Sequence, residues 1–180
     1  MSTTEISPPE FIRFPKIGRL DSPCTVTEKI DGTNACVVIT PDGGVFAQSR
    51  SRIITPDADN YGFAAWVATN ASQLRQLGEG HHFGEWWGSG IQRSYNQTRK
   101  RFSLFNVARW ADDRPDCCDV VPTISVGDFL SLDFLLIEED LRACGSLAAP
   151  GFMRPEGFMV YHHNLNAYIK HPFDKPKEQA

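Results

Sequence analysis

One lysine in this sequence stands where an amine can do chemistry. Lys29 ends a short β-branched run, Thr25-Val26-Thr27, and comes just before Asp31-Gly32. A second β-branched run, Val37 to Thr40, follows. Two such runs about an Asp-Gly pair predict a β-hairpin, with Lys29 held on the strand before the bend. Lysine is a nucleophile in covalent catalysis, and it attacks as the neutral amine. A free lysine has a pKa of ~10.4, so making that form common at neutral pH takes a shift of roughly 3 units, or about 4 kcal/mol. Burial and nearby cations are the means. Arg50 and Arg52 are candidate cations, since alternation on a strand places both on one face. Glu85 is framed by glycines and aromatics in Phe83-Gly84-Glu85-Trp86-Trp87-Gly88. Each residue has a plain alternative: an ordinary strand lysine, a solvated strand end, a turn glutamate beside core tryptophans.

The stretch Glu28-Lys29-Ile30-Asp31-Gly32-Thr33-Asn34 resembles the K-x-D-G-x-N nucleophile motif of covalent nucleotidyltransferases. These are ATP-dependent RNA ligases, DNA ligases and mRNA capping enzymes. The flanks look most like the phage and RNA-editing branch of RNA ligases. Further motifs follow in family order. Ser49-Arg50-Ser51-Arg52 resembles the arginine motif, and Phe83 to Gly88 the F-G-E-x-x-G motif. Phe102 to Val107 resembles the motif with a base-stacking aromatic, although Asn106 stands where the family usually has Asp. Glu156-Gly157-Phe158-Met159-Val160 matches E-G-h-h-h, h being apolar. The family commonly closes with K-x-K; here Tyr168-Ile169-Lys170-His171-Pro172 holds one lysine in place, and Lys175 lies past a proline.

The resemblance implies residue roles. Lys29 takes AMP from ATP as a phosphoramidate. Glu28, Ile30 and Asn34 flank the nucleotide. Arg50 contacts its sugar or the incoming 5′-phosphate, Glu85 the ribose hydroxyls, Phe105 the purine, and Lys170 the phosphates. Glu156 handles Mg²⁺ or Mn²⁺, directly or through water. The implied reaction transfers AMP to a 5′-phosphate end, and a 3′-hydroxyl then displaces it. The partners would be ATP and RNA or DNA ends, with a protein partner as a further expectation. Labelling by GTP would mark a capping enzyme, and nicked DNA a DNA ligase. A degenerate module that binds nucleotide without chemistry is the alternative from another class.

The elements that must position these residues read as α+β with antiparallel sheets flanked by helices. After the hairpin, Pro41 to Gly44 predicts a turn and Val45 to Arg50 a third strand of a meander. Tyr61 to Leu77 carries apolar residues at helical spacing, with Asp59 or Asn60 as cap and Gly78 as stop. His82 to Trp87 and Phe102 to Val107 predict strands, and residues 111–123 a loop. Gly127 to Cys144 predicts a second helix stopped by Gly145. Val160-Tyr161 and Ala167 to Lys170 predict final strands. Phe11, Ile12, Phe14 and Ile17 are expected to pack irregularly on the domain edge. Residues 1–10 and 173–180 are expected to be loose. Adjacent His81-His82 and His162-His163 point to opposite strand faces and do not chelate as pairs.

At 180 residues the chain is expected to be one nucleotidyltransferase domain without an OB-fold. A net charge of −4 argues against bulk electrostatic attraction to nucleic acid. Any such contact needs a local basic patch, for which Arg52, Arg93, Arg99, Lys100 and Arg101 are candidates. Five cysteines without a C-x-x-C spacing fit reduced thiols better than a disulfide framework. No apolar run is long enough to cross a bilayer, so a cytoplasmic location is expected, that of the host cell if the protein is phage-encoded.

Overall fold

The computed structural model describes residues 10–15 and 17–174. The predicted loose ends at 1–10 and 173–180 fall largely outside these. The strands are β1 (Pro23–Lys29), β2 (Thr33–Ile39), β3 (Val45–Ser49), β4 (Ile53–Ile54), β5 (Gly80–Gly88), β6 (Lys100–Leu104), β7 (Asp119–Val120), β8 (Thr123–Asp128), β9 (Gly157–His162) and β10 (Ala167–Pro172). Three helices, α1 (Phe63–Leu74), α2 (Val107–Trp110) and α3 (Phe134–Cys144), lie between them. One sheet has the order β10-β9-β1-β8, the other β4-β3-β2-β5-β6-β7. All pairings are antiparallel except β6 with β7. The α+β expectation therefore holds.

The predicted hairpin does not form. β1 pairs with β8 and β9, whereas β2 pairs with β3 and β5. Asp31-Gly32 carries the chain from one sheet to the other. The reason is local. The Gly32 N–H donates to Glu85 Oε1 at 3.0 Å, and the Asp31 N–H donates to the Tyr95 hydroxyl at 2.8 Å. A Cβ at Gly32 would lie 2.5 Å from the Trp86 carbonyl oxygen, so only glycine permits this approach. Lys29 consequently sits where the two sheets meet.

Each sheet has its own helical cover. Phe63, Val67 and Leu74 of α1 pack on Val37, Trp86 and Phe102 of the larger sheet. The Asp59 carboxylate accepts the N–H groups of Ala64 and Ala65 at 2.7 and 3.0 Å, capping α1 as its side chain suits it to do. A single 3-10 turn, Arg75–Leu77, completes the predicted span. Ile137 and Leu141 of α3 pack on Val26, Phe158 and Val160 of the smaller sheet. A third cluster, Ile30, Trp87, Tyr95, Val121, Ala149 and Phe152, joins the two halves under the turn.

Two other expectations are corrected. The predicted helix from Gly127 starts only at Phe134, where the Asp133 side chain accepts from Leu135 and Leu136. Gly127 and Asp128 instead end strand β8, paired to Cys24 and Pro23. The predicted loop 111–123 contains β7, which pairs with β6. Phe11, Ile12, Phe14 and Ile17 do not pack on the edge; they are 77–87% exposed. The segment is held near its end by backbone, through the His162 ring on the Leu20 carbonyl.

Candidate nucleotide-transfer site

The crossing turn leaves Lys29 at the floor of a cleft of about 620 Å³ between the sheets. Register brings the motifs together. Lys29 pairs with Gly157, next to Glu156; Asn34 pairs with Glu85; Lys170 pairs with Met159. Glu28, Lys29, Ile30, Asn34, Arg50, Glu85, Phe105 and Lys170 all line the cleft, whereas Glu156 is not among its lining residues and reaches it through Lys29.

The nearest charged partner of Lys29 is a carboxylate. Its Nζ lies 2.5 Å from Glu156 Oε2. Lys29 is the partner of Oε2, and no other group donates to that oxygen among the described residues. The cations expected near the amine, Arg50 and Lys170, line the same cleft but are not its ion-pair partners. Burial raises the Glu156 pKa, and the bond to Lys29 opposes this. Glu85 is buried and pushed up to about 8, chiefly by desolvation. Lys29 and the Gly32 N–H pull the other way, while Glu156 and Asp31 add to the rise. Three acids therefore share a small, partly dry space with one amine.

The remaining predicted residues separate by what they touch. Glu28 is 1% exposed, and both its oxygens are engaged: Ser146 Oγ donates at 2.6 Å and the Ala148 N–H at 2.8 Å. Its carboxylate anchors the loop after α3. Ile30 is buried in the third cluster, so its side chain packs there. Strand β3 ends at Ser49, so Arg50 and Arg52 stand in a turn, not on one strand face. Arg50 lines the cleft, whereas Arg52 donates to the Ala58 carbonyl at 3.0 Å. The proposed basic patch is largely committed within the chain. Arg101 makes a bidentate contact with Asp119, Lys100 Nζ donates to the Tyr61 carbonyl, and Arg93 bonds Asp31. Arg99 is exposed and has no ion-pair partner among the described residues.

Sequence reasoning missed Phe83 and Tyr168 as lining residues. The signal was present: Phe83 lies two before Glu85, and Tyr168 two before Lys170, so strand alternation puts each pair on one face. Tyr168 also stands on the cleft face at the position two before the single lysine of the last motif. With Phe105 these rings form an aromatic wall that suits a base.

The RNA ligase family model matches residues 22–149. The chain belongs to the RNA ligase family. Solved structures agree in fold. A mutant of Naegleria gruberi RNA ligase with ATP and Mn has a TM-score of 0.64 at 19% identity, over 85% of this chain and 50% of that one. A second such mutant with ATP and Mn gives 0.61 at 18% identity, over 84% and 49%. An apo mutant of the same ligase gives 0.61 at 17% identity, over 91% and 56%. This ligase-family chain thus spans about half the length of those relatives. No curated protein matches its sequence.

Proposed function

We propose that this chain is the nucleotidyltransferase unit of an ATP-dependent ligase. It would join 5′-phosphate and 3′-hydroxyl RNA ends through a lysyl-AMP intermediate. The observation that carries the reading is that Lys29, lining an aromatic-walled cleft, has its Nζ 2.5 Å from Glu156 Oε2. In the first step Nζ gives a proton to Glu156 Oε2, which is within reach of a general base. The freed lone pair attacks the α-phosphorus of ATP, and pyrophosphate leaves. The nitrogen–phosphorus bond then breaks as the RNA 5′-phosphate takes the AMP, and the 3′-hydroxyl displaces it. Each step is displacement at phosphorus, where positioning and charge neutralisation dominate. Arg50 and Lys170 supply fixed positive charge from opposite sheets. Phe105 stacks the base and Glu85 accepts from the ribose.

The residues fit a divalent cation. Glu156 is a half-buried carboxylate whose Oε2 meets Lys29 and no other group, so when ionised it would be a hard donor for such an ion. Among the described residues no cluster of three His, Cys, Asp or Glu side chains forms a cage. That suits Mg²⁺ or Mn²⁺ held by one or two carboxylates, water and substrate phosphates. Such an ion supplies charge neutralisation at the phosphates when bound. The Naegleria ligase structures contain ATP and Mn, in keeping with this requirement.

The test is sealing itself. A 5′-phosphorylated RNA strand, incubated with the protein, ATP and Mg²⁺, should be joined to a 3′-hydroxyl end, and nicked DNA should be joined far less. Joining of DNA in preference to RNA, or of neither, would contradict the proposal.

A further inference from the structure

The loop after β5 is built at a cost. Gln92, Ser94, Tyr95 and Asn96 have φ of 43°, 56°, 49° and 54°, the left-handed region, and none is glycine. Such backbone persists only where its surroundings fix it. What fixes it here is the turn that follows Lys29 and the segment before Glu156. The Tyr95 ring is fully buried against Trp87 and Phe152, and its hydroxyl accepts the Asp31 N–H at 2.8 Å. Arg93 Nε donates to Asp31 Oδ2 at 2.8 Å. Its Nη1 donates to the carbonyls of Arg154 at 3.2 Å and Pro155 at 3.5 Å, directly before Glu156. Its Nη2 meets Asp174, just past β10.

One loop therefore holds the turn after the nucleophile from two directions. The same guanidinium holds the approach to Glu156. We propose that the 92–96 loop is a clasp that sets the Lys29–Glu156 contact, with Arg93 and Tyr95 as positioning residues for nucleotide transfer. This rests on the function proposed above. It also removes Arg93 from the surface that meets RNA: its donors are taken by the chain's own acceptors. Bonding to a charged partner and to two carbonyls at once suits the planar fork of arginine, which lysine only partly replaces.

Two readouts test the clasp. The first needs no activity. Amide hydrogen exchange at Asp31 and Gly32 should quicken about tenfold in Arg93→Ala and in Tyr95→Phe, as expected when a hydrogen bond to a charged or buried partner is lost. The second is transfer of label from α-labelled ATP to the protein. Arg93→Ala should lower the saturated rate by about tenfold or more, with half-saturating ATP changed less than about threefold, as loss of positioning requires. Arg93→Lys should recover part of that rate. If Arg93→Ala does not fold, Tyr95→Phe decides, since it deletes a single hydroxyl. Unchanged exchange in both variants overturns the clasp, as does a rate that falls only in step with lost ATP affinity. Absence of label on the unaltered protein would contradict the proposed function instead, and the exchange result would still judge the clasp.

Discussion

Glu85 keeps a proton that an exposed carboxylate would release. Burial lifts its pKa from 4.5 to about 8, against the pull of Lys29 and the Gly32 N–H. Between those values the folded chain binds more protons than the unfolded one, so this residue's contribution to stability is full below 4.5 and is lost as pH rises through about 8. Glu85→Gln keeps an oxygen for Gly32 and removes the titration. Relative to the unaltered protein, it should gain on the order of 1–3 kcal/mol between pH 5 and pH 8. Denaturant melts at the two values would show it, and a difference independent of pH would refute it. Glu28 makes the opposite kind of case. Its carboxylate is wholly committed to Ser146 and Ala148. Glu28→Ala leaves those donors buried and should cost about 2–3 kcal/mol in chemical denaturation; a loss under half that would show that water replaces the carboxylate. Sequence motifs point to both glutamates, which line one cleft, but do not distinguish a carboxylate that also anchors a loop from one that does not. That distinction depends on Ser146, more than a hundred residues away along the chain. Phe83 and Tyr168 were legible by strand alternation, because each shares a face with a motif residue.

Among the elements, the turn at Asp31-Gly32 decides the most. Two β-branched runs about an Asp-Gly pair carry the signal of a hairpin, and local chemistry alone gives no reason to prefer a crossing. The partners that impose it, Glu85, Trp86 and Tyr95, come from β5 and the loop after it. Gly32→Ala tests this. Its Cβ would meet the Trp86 carbonyl at 2.5 Å, and backbone cannot give way cheaply. The variant should lose about 1–3 kcal/mol and most of its label transfer, measured by melting and by α-labelled ATP; an unaffected rate would mean that the turn does not place Lys29. The helix of the smaller sheet shows the same limit of local reading. Apolar spacing from Phe129 onward suggested one long helix, but Gly127 and Asp128 are claimed by pairing with β1. The Asp133 cap marks where helix begins. The α1 helix was legible because its cap, apolar face and stop lie within its own sequence.

For the molecule as a whole, two sheets of unequal size meet at one amine. Their separation forms the cleft, and the larger sheet brings Glu85 and Phe83 while the smaller brings Lys29, Tyr168 and Lys170. The net charge is −4, and Arg93, Lys100 and Arg101 are tied to partners within the chain. Of the expected patch, Arg99 alone among the described residues has neither a side-chain hydrogen bond nor an ion pair within the chain. The logarithm of RNA affinity should therefore fall with the logarithm of salt with a slope shallower than about −3, fewer than four phosphates neutralised. A steeper slope in a filter-binding titration would reveal a basic surface beyond Arg50, Arg99 and Lys170. Covalent transfer of AMP to Lys29 is read by mass spectrometry of the protein after incubation with ATP and a divalent cation. A single adenylate, labile to acid and stable to alkali as a phosphoramidate is, should appear on the peptide containing Lys29 and be absent from Lys29→Ala. An adenylate on another residue, or its survival in Lys29→Ala, would contradict it.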